Sequence, residues 1–441
     1  MTSPQTQIRV GSVDTGAPNG QPGDPQPSAS GYASVRRFSE ALCANLDPED
    51  CGAQSMPDAS PAKWHLAHTT WFFETFVLRA HQPRHTPFHP TFAFLFNSYY
   101  NGEGERHARL QRGLLTRPSL AEVLRYRAHV DAQVLELFDA IPDESRDEFL
   151  RVVEIGLHHE QQHQELILTD IKHLFAQNAL SPAYRAPLPA TTRSAPGLGY
   201  VEVPEGVYTI GHAGDSFCFD NEAPVHRVFV EACEIADRLI TNGEFREFIR
   251  DGGYQRPELW LDVGWATVQR EGWTAPLYWR GGPDGDCEFT LAGERALCDA
   301  EPVAHVSFLE ADAFARWAGA RLPTEHEWEV ACGSRPVEGQ FVESGRLHPR
   351  ADRTDGPGGV RQLYGDLWEW TRSSYAPYPG YRPAAGTLGE YNGKFMCEQF
   401  VLRGGSCASS RSHLRPTYRN FFHAPDRWQF TGIRLARESP L

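Results

Sequence analysis

Apolar residues recur with the 3.6-residue period of an α-helix in four stretches of the first 180 residues. The first opens near Ala33 (SVRRFSEALCANL). The second runs from about Pro61 to Arg79 (PAKWHLAHTTWFFETFVLR), with Ser60 as the expected N-cap and proline in the first turn. After an irregular aromatic segment, FAFLFNSYYNGEGERHARLQRG, Ser119 caps a third helix that reaches about Phe138. Asp143 or Ser145 opens a fourth, long one. Four amphipathic helices over residues 31–180 predict a helical bundle, in which metal sites are built from side chains of facing helices. The period stops at residues 181–199, where four prolines mark an extended linker. Residues 200–441 then alternate as short strands (VEVPEGVYTIG, HRVFVEACEIADRLIT) and short helices (TNGEFREFIRDGG, SFLEADAFARWAGA). The expected fold class is therefore a helical bundle followed by an α+β domain. Residues 1–30, rich in Gly, Pro, Ser, Gln and Asp, have little to bury and are expected to form a disordered tail.

The fourth helix carries histidines where a bundle helix should carry leucines. Glu154 to Lys172 reads EIGLHHEQQHQELILTDIK. At about 100° per residue, Ile155, His159, Gln162, His163, Leu166 and Asp170 share one stripe. His159 and His163 are one turn apart, the spacing by which one helix supplies two ligands to one metal. Glu165 lies about 200° round from His163 and should face away from any metal held there. A third ligand has to come from elsewhere. The second helix offers His65 and His68 on a bulky face with Trp64, Trp71, Phe72 and Thr75. Three neutral imidazoles leave coordination positions open and suit zinc or ferrous iron; ligand chemistry alone does not choose.

Composition narrows the class. A chain of 441 residues exceeds one ordinary core, and its formal charge of -15 argues against nucleic acid or anionic membrane as partner. It has no 18-residue apolar run, and MTSPQTQIRVGSV lacks the apolar core of a secretory signal. Nine cysteines without a Cys-x-x-Cys pair read as scattered reduced thiols of a cytoplasmic protein. The nearest Gly-x-Gly strings, NGEGER and DGPGGV, lack the strand-to-helix context of a phosphate loop. A soluble enzyme acting on small molecules is the expectation; oligomeric state is not legible.

WHLAH (Trp64 to His68) and HHEQQHQE (His158 to Glu165) resemble the DinB-like iron-binding half of the sulfoxide synthases of ergothioneine biosynthesis. GVYTIG, NEAPVH, RLPTEHEWEVA, LYGDLWEWT, RGGSC, RPTYRNFF and TGIRLAR resemble their second half, a formylglycine-generating-enzyme-like domain with a C-type-lectin-like core. The resemblance covers roughly residues 35–440. It implies a non-haem Fe(II) enzyme that joins a thiol sulfur to C2 of the imidazole of Nα-trimethylhistidine (hercynine), consuming O2 and forming a sulfoxide. By resemblance the ligands are His68, His159 and His163, with Glu165 outside them. Formylglycine-generating enzymes work through a cysteine pair in the segment after RGGS. Here CASSRSHLRPTYRN holds Cys407 alone, so that chemistry is not expected and Cys407 reads as structural.

The same resemblance assigns the substrate contacts. Gln162, beside His163, would hold the imidazole nitrogen of trimethylhistidine; Asn420 would bind that substrate and Phe421 line its pocket. Phe422 stands where the mycobacterial branch, which uses γ-glutamylcysteine, has an aspartate that holds the donor. Free cysteine is therefore the expected donor, with Arg106 and Arg109 as bidentate partners for its carboxylate. Tyr99 and Tyr100 supply the hydroxyl that steers oxidation towards C–S bond formation rather than thiol dioxygenation. In an extended segment they would point to opposite sides. In the mycobacterial branch that hydroxyl comes from the second domain, and in the cysteine-using branch from the Tyr-Tyr segment. The neighbouring readings are an ovothiol-type synthase, joining cysteine to C5 of unmethylated histidine, and γ-glutamylcysteine as donor.

Overall fold

The computed structural model describes residues 21–189, 194–281, 287–352, 359–384 and 386–439. Its helical part is built from α1 (Ala29–Cys43), α2 (Ala62–Phe73), α3 (Leu120–Ala140) and α4 (Asp143–Gln177). Ser28 caps α1 by accepting from the Gly31 N–H, and Ser119 caps α3 by accepting from the Glu122 N–H. Ser60 does not cap α2. Pro61 takes the cap position with no side-chain bond. Ser60 instead gives its backbone N–H to Asp170 at 2.8 Å and accepts from Arg112 at 2.8 Å. The chain continues past α2 through a π-turn, Glu74–Leu78, as far as His81.

Every residue of α2 is buried, which makes it the central helix rather than an amphipathic surface one. It packs on α3 and α4, while α1 covers α4 from another side. The approach of α2 to α4 depends on Gly156. A Cβ there would meet the Phe73 ring at 2.6 Å and the Phe72 ring at 2.8 Å. No side chain larger than hydrogen fits without pushing the helices apart one turn before His159. At 35 residues α4 is the longest helix, about 50 Å end to end, and from His158 onwards it serves the bundle with one face and the other part of the chain with another.

The linker residues outside 190–193 are pinned rather than free. Tyr184 is buried, donates its N–H to Leu291 O and its hydroxyl to Leu42 O at 2.7 Å. The tail expectation also needs correcting for residues 21–28. Gly23 and Pro25 are buried there, and the Gly23 carbonyl accepts from Gln161 at 3.0 Å and from Ser412 at 3.3 Å. Composition records too few apolar side chains to bury, but this strap docks through its backbone. Residues 1–20 lie outside the described residues.

The second part begins with Tyr200–Val203, antiparallel to Cys233–Ala236, which pairs in turn with Ala436–Glu438, so the end of the chain closes on its first strands. Gly206–Ile210 and His226–Val230 form a hairpin. A four-stranded sheet runs in the order Asn420–His423, Gln399–Arg403, Trp368–Ser374, Thr431–Gly432. Its buried ion pair, Arg434 to both oxygens of Glu369 at 2.7 Å, sits beneath the face turned to α4. All nine cysteines are free, and among the described residues no helix is long and apolar enough to cross a membrane.

Candidate metal centre

His68 on α2 and His159 and His163 on α4 converge in the bundle core, with ligand atoms all within 4.8 Å of one another. They are 0%, 1% and 9% exposed. Burial pushes all three imidazoles below their ordinary range, His159 to about 3, and neighbouring histidines push His68 and His163 further the same way. They are neutral at pH 7, the protonation state a metal ligand needs.

Hydrogen bonding decides which nitrogen each offers. His68 donates Nδ1–H to the Phe96 carbonyl at 2.6 Å, leaving Nε2 bare and 3.2 Å from Nε2 of His159. His163 turns Nδ1 to Nδ1 of His65 at 2.8 Å, and His65 gives Nε2–H to Asp170 at 3.0 Å. A carboxylate–histidine–histidine relay therefore fixes the ring of His163 and directs its Nε2 inwards. His159, its Nδ1 without a hydrogen-bond partner, turns Nε2 to the bare Nε2 of His68, so the three imidazoles bring ligand nitrogens together in a site closed to water. The donor set fits a metal ion.

The ring of His68 is clamped as well. It stacks on Trp64 (centroids 4.7 Å, planes 12°) and on Trp71 (5.6 Å, 15°), and the Arg112 guanidinium covers the far face of Trp64 at 3.3 Å.

The run HHEQQHQE, from His158 to Glu165, splits residue by residue between three neighbours. His159 and His163 face the centre. Glu160, fully buried, is held by Arg36 and Arg127 and accepts from Ser39 at 2.6 Å. Burial pushes its carboxyl up, but the two guanidiniums outweigh that and keep it below its ordinary range. Gln164 also turns to the bundle, bonding Val35 O and Ser39. Gln161 bonds Gly23 and Ser412. Glu165 faces away from the histidines, as the helical angle requires, and accepts from Ser406 at 2.5 Å, Ser409 at 2.6 Å and Trp368 at 2.8 Å. Ser406 closes the RGGS string and Ser409 follows three residues later, so Glu165 ties α4 to that turn of the second part. His158 and Gln162 complete the crossing by bonding His413 and Tyr418.

Gln162 is not free to meet a substrate with both ends. Its Nε2 donates to Tyr418 at 2.6 Å, and its Oε1 accepts from the Tyr391 hydroxyl. Tyr391 lies edge-on to His159, centroids 5.7 Å apart. The expected pair behaves differently. Tyr99 and Tyr100 do not point to opposite sides; their rings stack at 4.7 Å and 29°. The segment bends at Tyr99, because the Asn97 side chain bonds both the N–H and the C=O of Tyr100. Tyr100 packs on Trp71 and Phe76 with its hydroxyl buried and without a bond of ordinary geometry. Tyr99 reaches Phe395 and Tyr391. Among the described residues neither makes a ring contact with the three histidines.

Arg106 and Arg109 are exposed, bonded to Asn101 and to the Asp58 carbonyl. The guanidinium brought beside the centre is Arg112, one 3₁₀ turn after Arg109. On the strand Asn420–His423 side chains alternate. Phe421 stacks on Tyr375 at 4.0 Å and on Phe395, whereas Phe422 turns to the other face and packs on Trp428. Asn420 spends its Oδ1 on the Phe421 N–H. His65 and Asp170 were legible as positions on the inward faces but not as partners. Tyr391, in the irregular GEYNGKF, carries no sequence signal. A second convergent set, Glu288, Glu301 and His348, is filled by Arg295, which bonds all three.

Fold and centre together define a class: a metalloprotein whose helical half holds a buried three-histidine site and whose second half covers it. Comparison with known proteins agrees with both halves. The DinB superfamily model matches residues 32–167, and the sulfatase-modifying factor enzyme 1-like domain model matches residues 185–358 and 344–439. Hercynine oxygenase of Mycolicibacterium smegmatis is 34% identical over 417 residues, covering 89% of this chain and 94% of that protein. Hercynine oxygenase of Mycobacterium tuberculosis is 34% identical over 444 residues, covering 93% and 99%. Formylglycine-generating enzyme of Streptomyces coelicolor is 29% identical over 279 residues, covering 52% of this chain and 84% of that protein. The chain belongs to the hercynine oxygenase family.

Proposed function

We propose that this protein is an O2-dependent oxidoreductase of ergothioneine biosynthesis, a sulfoxide synthase that joins the sulfur of free cysteine to C2 of the imidazole of hercynine. The observation that carries the reading is the desolvated cluster of His68, His159 and His163 set at the seam between the two parts, beside the Gln162 amide and the Tyr391 hydroxyl. Ferrous iron bound there supplies the redox chemistry with O2 that couples the two substrates.

The chain's own residues bind, orient and manage protons. Phe421, with Tyr375 and Phe395 against it, offers aromatic faces to a quaternary ammonium, worth about 0.5–2 kcal/mol per face. Gln162, its amide held by two phenols, is the polar group for the substrate imidazole, with Asn420 on the covering strand as second contact. Burial holds the phenols of Tyr391, Tyr99 and Tyr100 well above their ordinary range. They keep their protons at pH 7 and serve as donors rather than as anions. Tyr391, from the second part as in the mycobacterial branch, is the phenol that faces the centre, edge-on to Tyr99, which stacks in turn on Tyr100. The source of the hydroxyl and the apolar Phe422 point to different branches, and the comparison of the two thiol donors below decides between them. Phe422, apolar and packed on Trp428, gives no charge to hold a γ-glutamyl extension, which favours cysteine as donor.

The test is anaerobic loading with Fe(II), then O2 uptake and product mass with cysteine and hercynine. The expected product is the C2 sulfoxide, with kcat/KM higher for cysteine than for γ-glutamylcysteine. Uptake with histidine in place of hercynine transfers the reading to the ovothiol type. No uptake with either overturns both.

A further inference from the structure

A hydrogen-bonded chain of five side chains runs from the centre across the seam: Tyr391, Gln162, Tyr418, His413, His158. The Tyr391 hydroxyl donates to Gln162 Oε1, and Gln162 Nε2 donates to the Tyr418 oxygen at 2.6 Å. Tyr418 lies 3.0 Å from His413 Nε2, and His413 Nδ1 lies 2.9 Å from His158 Nδ1. Four members are nearly buried, Tyr391 at 8%, Tyr418 at 5%, His158 at 4% and His413 at 2% exposure. Phe219 touches those four, stacking on Tyr391 at 5.3 Å and lying edge-on to the other three. Phe217 covers His158 at 3.9 Å. Water does not compete for these bonds.

Each link constrains the next. A phenol has one hydrogen to give; with the amide donating to Tyr418, the arrangement in which every member both gives and takes sends that hydrogen to His413 Nε2. A neutral His413 then carries its proton on Nδ1 and donates it to His158 Nδ1, which leaves the proton of His158 on Nε2. If the His413 tautomer is reversed, its Nε2–H gives to the Tyr418 oxygen and frees the Tyr418 hydrogen for Gln162; an amide turned over to accept it gives N–H to Tyr391, and the Tyr391 hydrogen then points elsewhere.

We propose that His158 and His413 are positioning residues whose tautomers lock the Gln162 amide in one orientation and thereby set the direction of the Tyr391 hydroxyl hydrogen. The proposal rests on the reading of Tyr391 as the phenol beside the reacting atoms, but its first test does not. In the zinc-loaded full chain labelled with ¹⁵N-histidine, two-bond ¹H–¹⁵N correlations are expected to show His413 protonated at Nδ1 and His158 at Nε2, both neutral at pH 7. A His413 protonated at Nε2, or an imidazolium at either position, overturns the proposal.

The second test is kinetic. His413→Phe cannot accept from Tyr418. It is expected to lower the ratio of sulfoxide to cysteine sulfinate about fivefold, the size of one lost hydrogen bond, at unchanged metal affinity. His413→Gln offers an acceptor and is expected to recover most of that ratio. Should His413→Phe fail to fold, His158→Leu against His158→Asn makes the same comparison one link further out. A ratio untouched by the apolar variants, or lost equally in the conservative ones, overturns the proposal. A wild-type enzyme that forms no sulfoxide refutes the proposed function instead and leaves the tautomers to decide the positioning role.

Discussion

At the scale of single residues, the centre depends on groups that never touch the metal. Asp170 and His65 orient His163 through two buried bonds. Partners of this kind typically change metal affinity about 10–100-fold when removed. Asp170→Asn and His65→Leu are each expected to weaken metal binding by that factor in competition with a chromophoric chelator, with the helical circular dichroism retained. The tyrosines divide by position. Tyr391→Phe is expected to leave metal affinity intact and divert product towards cysteine sulfinate, read as the sulfoxide-to-sulfinate ratio by mass spectrometry. Tyr99→Phe and Tyr100→Phe are expected to do less. Equal diversion by either would return the donor to the Tyr-Tyr segment. The expectation that those two rings diverge assumed an extended backbone, and one asparagine, Asn97, undoes it. Side-chain-to-backbone bonds of this sort leave no periodic trace.

At the scale of elements, α4 decides the architecture because consecutive residues on it serve different neighbours. Two of its carboxylates, Glu160 and Glu165, make this measurable. Glu160→Gln leaves Arg36 with Asp131 and Arg127 with the half-exposed Glu40 as their acidic partners, and is expected to cost about 1–3 kcal/mol in urea unfolding. Glu165→Ala strips three donors of the second part, Ser406, Ser409 and Trp368, of their acceptor. The expected loss is roughly 3 kcal/mol, with increased hydrogen exchange in the segment after RGGS and little change in metal affinity. The α2–α4 contact is set by one glycine. Gly156→Ala puts a methyl against the Phe72 and Phe73 rings, and is expected to lower metal affinity more than it lowers helix content, since it spreads the helices that carry His68 and His159. The histidine spacing on α4 was readable because a helix repeats locally. The full burial of α2 was not, because burial on all sides comes from neighbours distant in sequence.

At the scale of the whole molecule, buried neutral imidazoles tie stability to pH. His68, His158, His159, His163, His305 and His413 are all held below their ordinary value, burial first among the causes. As pH falls through about 6.5 the unfolded chain protonates these histidines and the folded chain does not. Stability is therefore complete above that value and declines below it. Asp366 and Asp426, pushed up to about 7 and about 6 by burial, pull the other way, but the imidazoles held down, which also include His173, His326 and His348, outnumber the carboxyls raised as far as that pH range. The metal-free protein is expected to melt at a lower temperature at pH 5.5 than at pH 7.5. A higher melting temperature at the acid end would show that the imidazoles are not held neutral.

What the amino-acid sequence by itself determined was whatever repeats over short range: the four helices, the turn between His159 and His163, and the turning away of Glu165. The motif strings carried the family, and with it His68. Tertiary structure decided what depends on contacts between distant residues. It placed Tyr391 of the second part beside His159, tied Gln162 to two phenols, exposed Arg106 and Arg109 and brought in Arg112 instead. It also turned the polar run of α4 into a seam joined by charge and hydrogen bonds. Periodicity reports the face a side chain is on, and only the packing of the other half of the chain says what that face meets.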